Sequence, residues 1–142
     1  MDTKKIKPLV ISIVDDDEIY QFTIKKTLDL LKLTKKILMF SDGEEAIDFL
    51  HKNIEDNQTL PDIIFLDINM PVMDGFEFME EFIKLKPRTD KKIIVYMVSS
   101  SVDPADLERA EKISEISDYI IKPIEVEQVL SIVESLKKDG YL

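Results

Sequence analysis

Short apolar runs rich in Ile and Val recur along the chain at 8–14 (PLVISIV), 36–40 (KILMF), 62–66 (DIIFL), 92–98 (KIIVYMV) and 118–121 (DYII). None alternates strictly between apolar and polar residues, which is the mark of strands covered on both faces. Between them the apolar positions repeat at helical spacing. Over 18–31, Tyr20, Ile24, Thr27, Leu28 and Leu31 share one face. A second helix opens at Ser41-Asp42-Gly43-Glu44, a capping-box pattern, and carries Ala46, Ile47 and Leu50. A third starts near Asp74, with Glu77 in its first turn, and turns Phe78, Phe82 and Leu85 inward. Asp103-Pro104 opens a fourth, with proline at the first helical position, where its missing N–H costs nothing. The fifth, about 125–137, places Val126, Val129, Leu130, Val133 and Leu136 on one face.

Five βα units in series predict an α/β fold, a doubly wound five-stranded parallel sheet with right-handed crossovers. The flavodoxin-like order 2-1-3-4-5 is one of the two common arrangements of such sheets. No repeat, low-complexity tract or long Pro/Gly/Ser linker divides the 142 residues, so a single domain over 1–142, with its core at about 8–137, is expected.

Composition narrows the function classes. With 29 acidic against 19 basic residues the chain carries a net charge of −10, which repels a phosphate backbone and argues against direct nucleic-acid binding. The three glycines, Gly43, Gly75 and Gly140, are too scattered for a GxGxxG or Walker loop. No apolar run approaches the roughly 18 residues of a membrane helix, and the N-terminus does not read as a secretory signal, so a cytoplasmic protein without a membrane partner is expected. The absence of cysteine excludes disulfides and thiolate chemistry.

In doubly wound sheets ligands bind beyond the carboxyl ends of the strands. The first strand runs into Asp15, Asp16 and Asp17, the third into Asp67, the fourth into Ser99, Ser100 and Ser101, and the fifth into Lys122-Pro123. Adjacent strands lie about 4.8 Å apart, so Asp15 and Asp16 can face Asp67 across one gap. Three carboxylates that close need a cation to stay ionised. An all-oxygen donor set points to a hard ion, best Mg2+, which keeps several waters and takes few protein ligands. Ser99 is one strand from Asp67, within reach of a short hydroxyl; Lys122 is two strands away and needs its long side chain. A carboxylate nucleophile, a hydroxyl and an ammonium around one metal compose a phosphoryl-transfer site.

The runs VDDD at 14–17, LDINMPVMDG at 66–75, MVSSS at 97–101 and IIKPI at 120–124 resemble the motifs of response regulator receiver domains of two-component systems, in the family order and over about 8–137. The resemblance implies a chemotaxis-receiver-like signalling switch rather than an enzyme, one that catalyses only its own phosphorylation and dephosphorylation. It makes Asp67 the phosphoacceptor, with Ser99 and Lys122 completing the catalytic set. It also makes Asp16 a direct metal ligand, Asp15 a ligand largely through water, and Asn69 a ligand through its backbone carbonyl. Mg2+ is the implied metal, with Mn2+ as the alternative. Ser99 and Tyr119 take the family's switch positions, although plain packing is an equal reading of Tyr119, and the Lys122–Pro123 peptide is commonly cis in relatives. The implied partners are a sensor histidine kinase or phosphotransfer protein and an unknown downstream protein; a homodimer is left open. The long connection HKNIEDNQTLPD at 51–62 is similar to that of phytochrome-associated single-domain receivers, and the ending KKDGYL suggests that no output domain is encoded.

Competing readings remain. A degenerate receiver would serve only as an interaction module, against which the intact acidic, serine and lysine set argues. A haloacid-dehalogenase-type phosphatase wants a second aspartate where this chain has Asn69. An FMN carrier needs a phosphate-cradling loop where this chain has Asp15–Asp17. Asp17, Glu18 and Asp74 read as helix starts, Ser100 and Ser101 as loop or rim residues, His51 as solvated, and Lys4, Lys5 and Lys7 as a solubilising tail.

Overall fold

A computed structural model describes residues 7–140 of the chain; Lys4 and Lys5 of the basic tail lie outside them. The elements are β1 (Leu9–Val14), α1 (Glu18–Leu31), β2 (Thr34–Phe40), α2 (Gly43–Lys52), β3 (Ile63–Leu66), α3 (Gly75–Leu85), β4 (Ile94–Ser99), α4 (Pro104–Glu111), β5 (Ile116–Ile121) and α5 (Val126–Lys138), with a 3-10 turn at Lys86–Arg88 extending α3. The strands form one parallel sheet in the order β2-β1-β3-β4-β5. The predicted α/β architecture and strand order are those observed.

Because successive strand residues point to opposite faces, each central strand feeds two cores. Leu9, Ile11 and Ile13 of β1, Ile63 and Phe65 of β3, and Tyr96 and Val98 of β4 pack with Ile24 and Leu28 of α1 and Val129, Val133 and Leu136 of α5. Val14, Ile64, Leu66, Val95 and Met97 pack on the other side with Ala46, Ile47 and Leu50 of α2 and Phe78, Met79, Phe82 and Leu85 of α3. The outer strands differ from the expectation of strands covered on both faces. β2 and β5 lie at the sheet edges, where Lys35, Lys36, Ser117 and Asp118 stay exposed.

Two further details depart from the sequence pattern. On α5, Val126 and Leu130 remain 41% and 40% exposed while Val129, Val133 and Leu136 are buried, so the apolar stripe is wider than the part the sheet covers. On α2 the expected capping box is not the cap observed: the N-cap is Asp42, whose side chain accepts from Glu45 N at 2.9 Å, while the Glu45 carboxylate accepts from Ser41 N at 2.7 Å, one residue before the cap, so the two bonds do not close a reciprocal box. The other helix starts are as read. Asp17 accepts from Ile19 N and Tyr20 N, Asp74 and Glu77 form a reciprocal box, and Asp103 accepts from Ala105 N before Pro104 opens α4. His51 is exposed. Among the described residues no helix is long and apolar enough to cross a membrane.

Candidate functional site

The parallel sheet delivers the ends of β1, β3, β4 and β5 to one rim. Asp15 follows β1 and is only 2% exposed. Its N–H donates to Phe40 O at 3.0 Å, its Oδ1 accepts from Asp17 N at 2.9 Å, and the Gln21 amide of α1 donates to its carbonyl. Backbone and side chain of Asp15 are therefore both held in place. Asp67 follows β3 and is 7% exposed; its N–H donates to Val14 O at 2.9 Å and its Oδ1 accepts from Ile68 N at 2.8 Å. Asp16 is exposed at the rim. One carboxylate oxygen from each of Asp15, Asp16 and Asp67 lies within 4.8 Å of the others.

Lys122, at the end of β5, reaches back across β4. Its Nζ lies 2.6 Å from Asp15 Oδ2 and 3.4 Å from Asp67 Oδ2, and 4.6 Å from the centre of the Tyr20 ring. Its N–H donates to Ser99 O at 3.0 Å, and the Lys122–Pro123 peptide is cis. Burial pushes the Asp15 carboxyl above the ordinary carboxylate range, partly offset by the hydrogen bond and charge of Lys122. Burial, then the Asp15 charge, raise Asp67, against the opposing pull of Lys122 and the Ile68 N–H. Burial alone would lower the Lys122 ammonium, yet the bond to Asp15 and the charges of Asp67 and Asp15 together hold it above the ordinary lysine value.

The remaining predicted residues are organised around Ser101. Ser99 is fully buried, and its Oγ accepts from Ser101 N at 3.2 Å. Tyr119 lies beside Met97 across the β4–β5 pair, and its hydroxyl donates to Ser101 O at 2.9 Å. The Ser101 Oγ in turn donates to Asp106 on α4 at 2.7 Å. Asp15, Asp16, Asp67 and Lys122 thus converge directly, whereas Ser99 and Tyr119 meet each other through the β4–α4 loop. Asn69 is exposed at the start of the β3–α3 loop.

That loop is clamped by two glycines. Gly75 N donates to Ile68 O at 2.8 Å, and a Cβ on Gly75 would clash with the Asp67 carbonyl oxygen. Gly43 N donates to Met73 O at 3.0 Å, and a Cβ there would lie 2.8 Å from the same oxygen. Only a residue without a side chain lets α2 and α3 start this close to the loop.

Sequence reasoning missed Tyr20 as a site residue and read it only as part of the inward face of α1. That reading is incomplete, because the ring packs on the α1/α5 core and also lies under the Lys122 ammonium. The available signal was its place in the first turn after the acidic run.

The donor set is entirely oxygen, suited to a hard divalent cation. A response regulator receiver domain family model matches residues 11–134. The chain belongs to that family. This receiver is 30% identical to a probable methanogenesis regulatory protein, FilR2, of Methanothrix harundinacea, over 92% of this chain and 83% of that protein. Its fold is similar to a two-component response regulator from Cytophaga hutchinsonii, with a TM-score of 0.82 and 27% identity over 93% of this chain and 99% of that one. It is likewise similar to the phosphorylated cyanobacterial phytochrome response regulator RcpA, with a TM-score of 0.71 and 27% identity over 93% of each chain, so receivers of the phytochrome-associated type are among its structural relatives. Some curated relatives are much longer, and this receiver spans 38% of one and 15% of another.

Proposed function

We propose that this receiver accepts a phosphoryl group on Asp67 from a partner histidine kinase or phosphotransfer protein and thereby changes its affinity for a downstream protein. The observation that carries the reading is the convergence of the Asp15, Asp16 and Asp67 carboxylates within 4.8 Å, with Lys122 bridging Asp15 and Asp67. Mg2+, or Mn2+ in its place, would be held by Asp15, Asp16, Asp67 and the Asn69 carbonyl, and would supply charge neutralisation for the phosphoryl oxygens.

Asp67 Oδ1 accepts from Ile68 N–H at 2.8 Å, whereas Oδ2 holds only the longer 3.4 Å contact with Lys122 Nζ, so Oδ2 is the nucleophile. It attacks phosphorus, an O–P bond forms, and the bond to the donor histidine nitrogen or acetyl phosphate oxygen breaks with its electron pair leaving on the donor. Lys122 neutralises charge on the transferred group, and the Ser99 hydroxyl turns from Ser101 toward a phosphoryl oxygen. Release of Ser101 N–H from Ser99 would be felt at Tyr119, whose hydroxyl holds the carbonyl of the same residue. That shared residue supports a switch role for Tyr119 over packing alone.

Incubation with acetyl phosphate and Mg2+ should add one hydroxylamine-labile phosphoryl group by intact mass, and Asp67→Asn should remove it. No adduct on the wild type, or an equal yield on the variant, overturns the reading.

A further inference from the structure

Among the described residues, the Tyr20 hydroxyl is a buried side-chain oxygen without a hydrogen-bond partner. Native proteins keep few of these, because a buried donor left unpaired is costly. Its place makes the exception informative. The cap at Asp17, which accepts from Ile19 N and Tyr20 N, sets the first turn of α1, and Tyr20 lies there beside the strand-end lysine. The face of its ring carries the Lys122 ammonium at 4.6 Å, a cation–π distance. Burial, and then the negative charges of Asp15 and Asp67, hold the phenol proton on the oxygen. The result is a buried donor beside the Lys122 ammonium, bonded to neither carboxylate.

We infer that Tyr20 is a working member of the phosphoryl site: its ring steadies the Lys122 ammonium, and its hydroxyl donates to an oxygen of the phosphoryl group carried by Asp67. This rests on the aspartyl-phosphate reading above. The ring gives Lys122 a constant support while its Nζ exchanges Asp15 for the incoming oxygens, and the hydroxyl gains its partner only in the phosphorylated state. Plain packing accounts for the burial of the ring on the α1/α5 core but not for a polar atom placed there without a partner.

The test compares wild type, Tyr20→Phe and Tyr20→Leu by melting midpoint, Mg2+ affinity, and formation and decay of the acetyl-phosphate adduct. Tyr20→Phe should fold with an unchanged or higher midpoint and bind Mg2+ within about twofold of wild type. Its adduct should form at least about tenfold more slowly or decay about tenfold faster, the scale of one charge-assisted hydrogen bond. Tyr20→Leu, which also loses the ring, should lose more; an effect equal to that of Tyr20→Phe overturns the role of the ring. A direct readout is the Cζ resonance of Tyr20 in carbon-13 tyrosine-labelled protein, assigned by its disappearance in Tyr20→Phe. It should move with Mg2+ plus beryllofluoride and stay in place with Mg2+ alone. Movement with Mg2+ alone assigns the hydroxyl to water around the metal and overturns the phosphoryl contact. Tyr20→Phe kinetics equal to those of a wild type that does take the adduct overturn the inference alone, as does a Tyr20→Phe protein that unfolds. A wild type without adduct overturns the aspartyl-phosphate reading and this inference with it.

Discussion

Lys122 holds its ammonium closer to Asp15, at 2.6 Å, than to Asp67, at 3.4 Å, so the tighter ion pair of the site falls on the carboxylate that is not the proposed nucleophile. The ammonium therefore competes with any cation bound between these acids. Two unit charges about 4 Å apart interact by about 4 kcal/mol at an effective dielectric of 20. Lys122→Met should tighten Mg2+ binding by at least about tenfold in calorimetric titration, while the yield of the acetyl-phosphate adduct falls. Unchanged or weaker Mg2+ binding would show that the ammonium does not compete for Asp15.

Asp67 is destabilising while the site holds no cation, and the sign follows from its raised pKa. Below the ordinary carboxylate range both folded and unfolded states are protonated and the penalty is absent. As the pH rises through the unfolded value, about 3.9, the unfolded chain releases its proton first and stability falls until the folded value is passed. Asp67→Asn should thus raise the melting midpoint at pH 7 in chelator by roughly 3–5 °C, with the gain vanishing near about pH 3. Scanning calorimetry across that range checks it, and a gain that persists at low pH counts against the electrostatic cause.

Lys122 has the opposite dependence. Its folded pKa is raised, so its contribution is complete below the unfolded value of about 10.4 and is lost as the pH climbs through the folded one. Denaturation of the wild type above about pH 10.5 should be steeper than that of Lys122→Met. Parallel curves would mean that the ion pair adds nothing to stability.

Gly75 is set by the backbone of Asp67, the proposed nucleophile. A Cβ there would clash with the Asp67 carbonyl oxygen and lie 3.0 Å from Ile68 Cα, so relief requires moving Asp67 itself. Gly75→Ala should cost about 2–4 kcal/mol in urea denaturation and abolish the adduct. Wild-type stability and phosphorylation together would refute the close approach.

Val72, on the same loop, has φ 66°, a left-handed conformation that a β-branched residue adopts only under constraint, and it is exposed. Val72→Gly removes a steric cost of about 1–2 kcal/mol against a glycine entropy of about 0.5–1 kcal/mol. The expected outcome is a stability gain of up to about 1.5 kcal/mol in urea denaturation. A loss would mean that the Val72 side chain makes a contact worth more than its strain.

The legible part of this receiver was written in local periodicity. Branched apolar runs marked the strands, acidic caps such as Asp17 and Asp74 marked the helix starts, and polar residues standing just beyond four strand ends marked the rim. The edge strands were read less well: their runs do not alternate and so read as covered on both faces, although the predicted order already set them at the sheet edges, where Lys36 and Asp118 stay exposed. The same limit applied to α5, where Val126 and Leu130 look as apolar as Val129 and stay outside the covered stripe.

By itself the sequence determined which residues stand at the strand ends, since the chemistry and order of VDDD, LDINMPVMDG and IIKPI are local properties. Only the tertiary structure decided which of them pair. Lys122 lies 55 residues from Asp67 along the chain, and its choice of Asp15 is a difference of 0.8 Å between 2.6 and 3.4 Å. Tyr20 became part of the site only when α1 packed against the sheet and brought its ring beneath that ammonium. A hydrogen bond is strong only over a narrow range of distances, and those distances exist only once the whole sheet has closed.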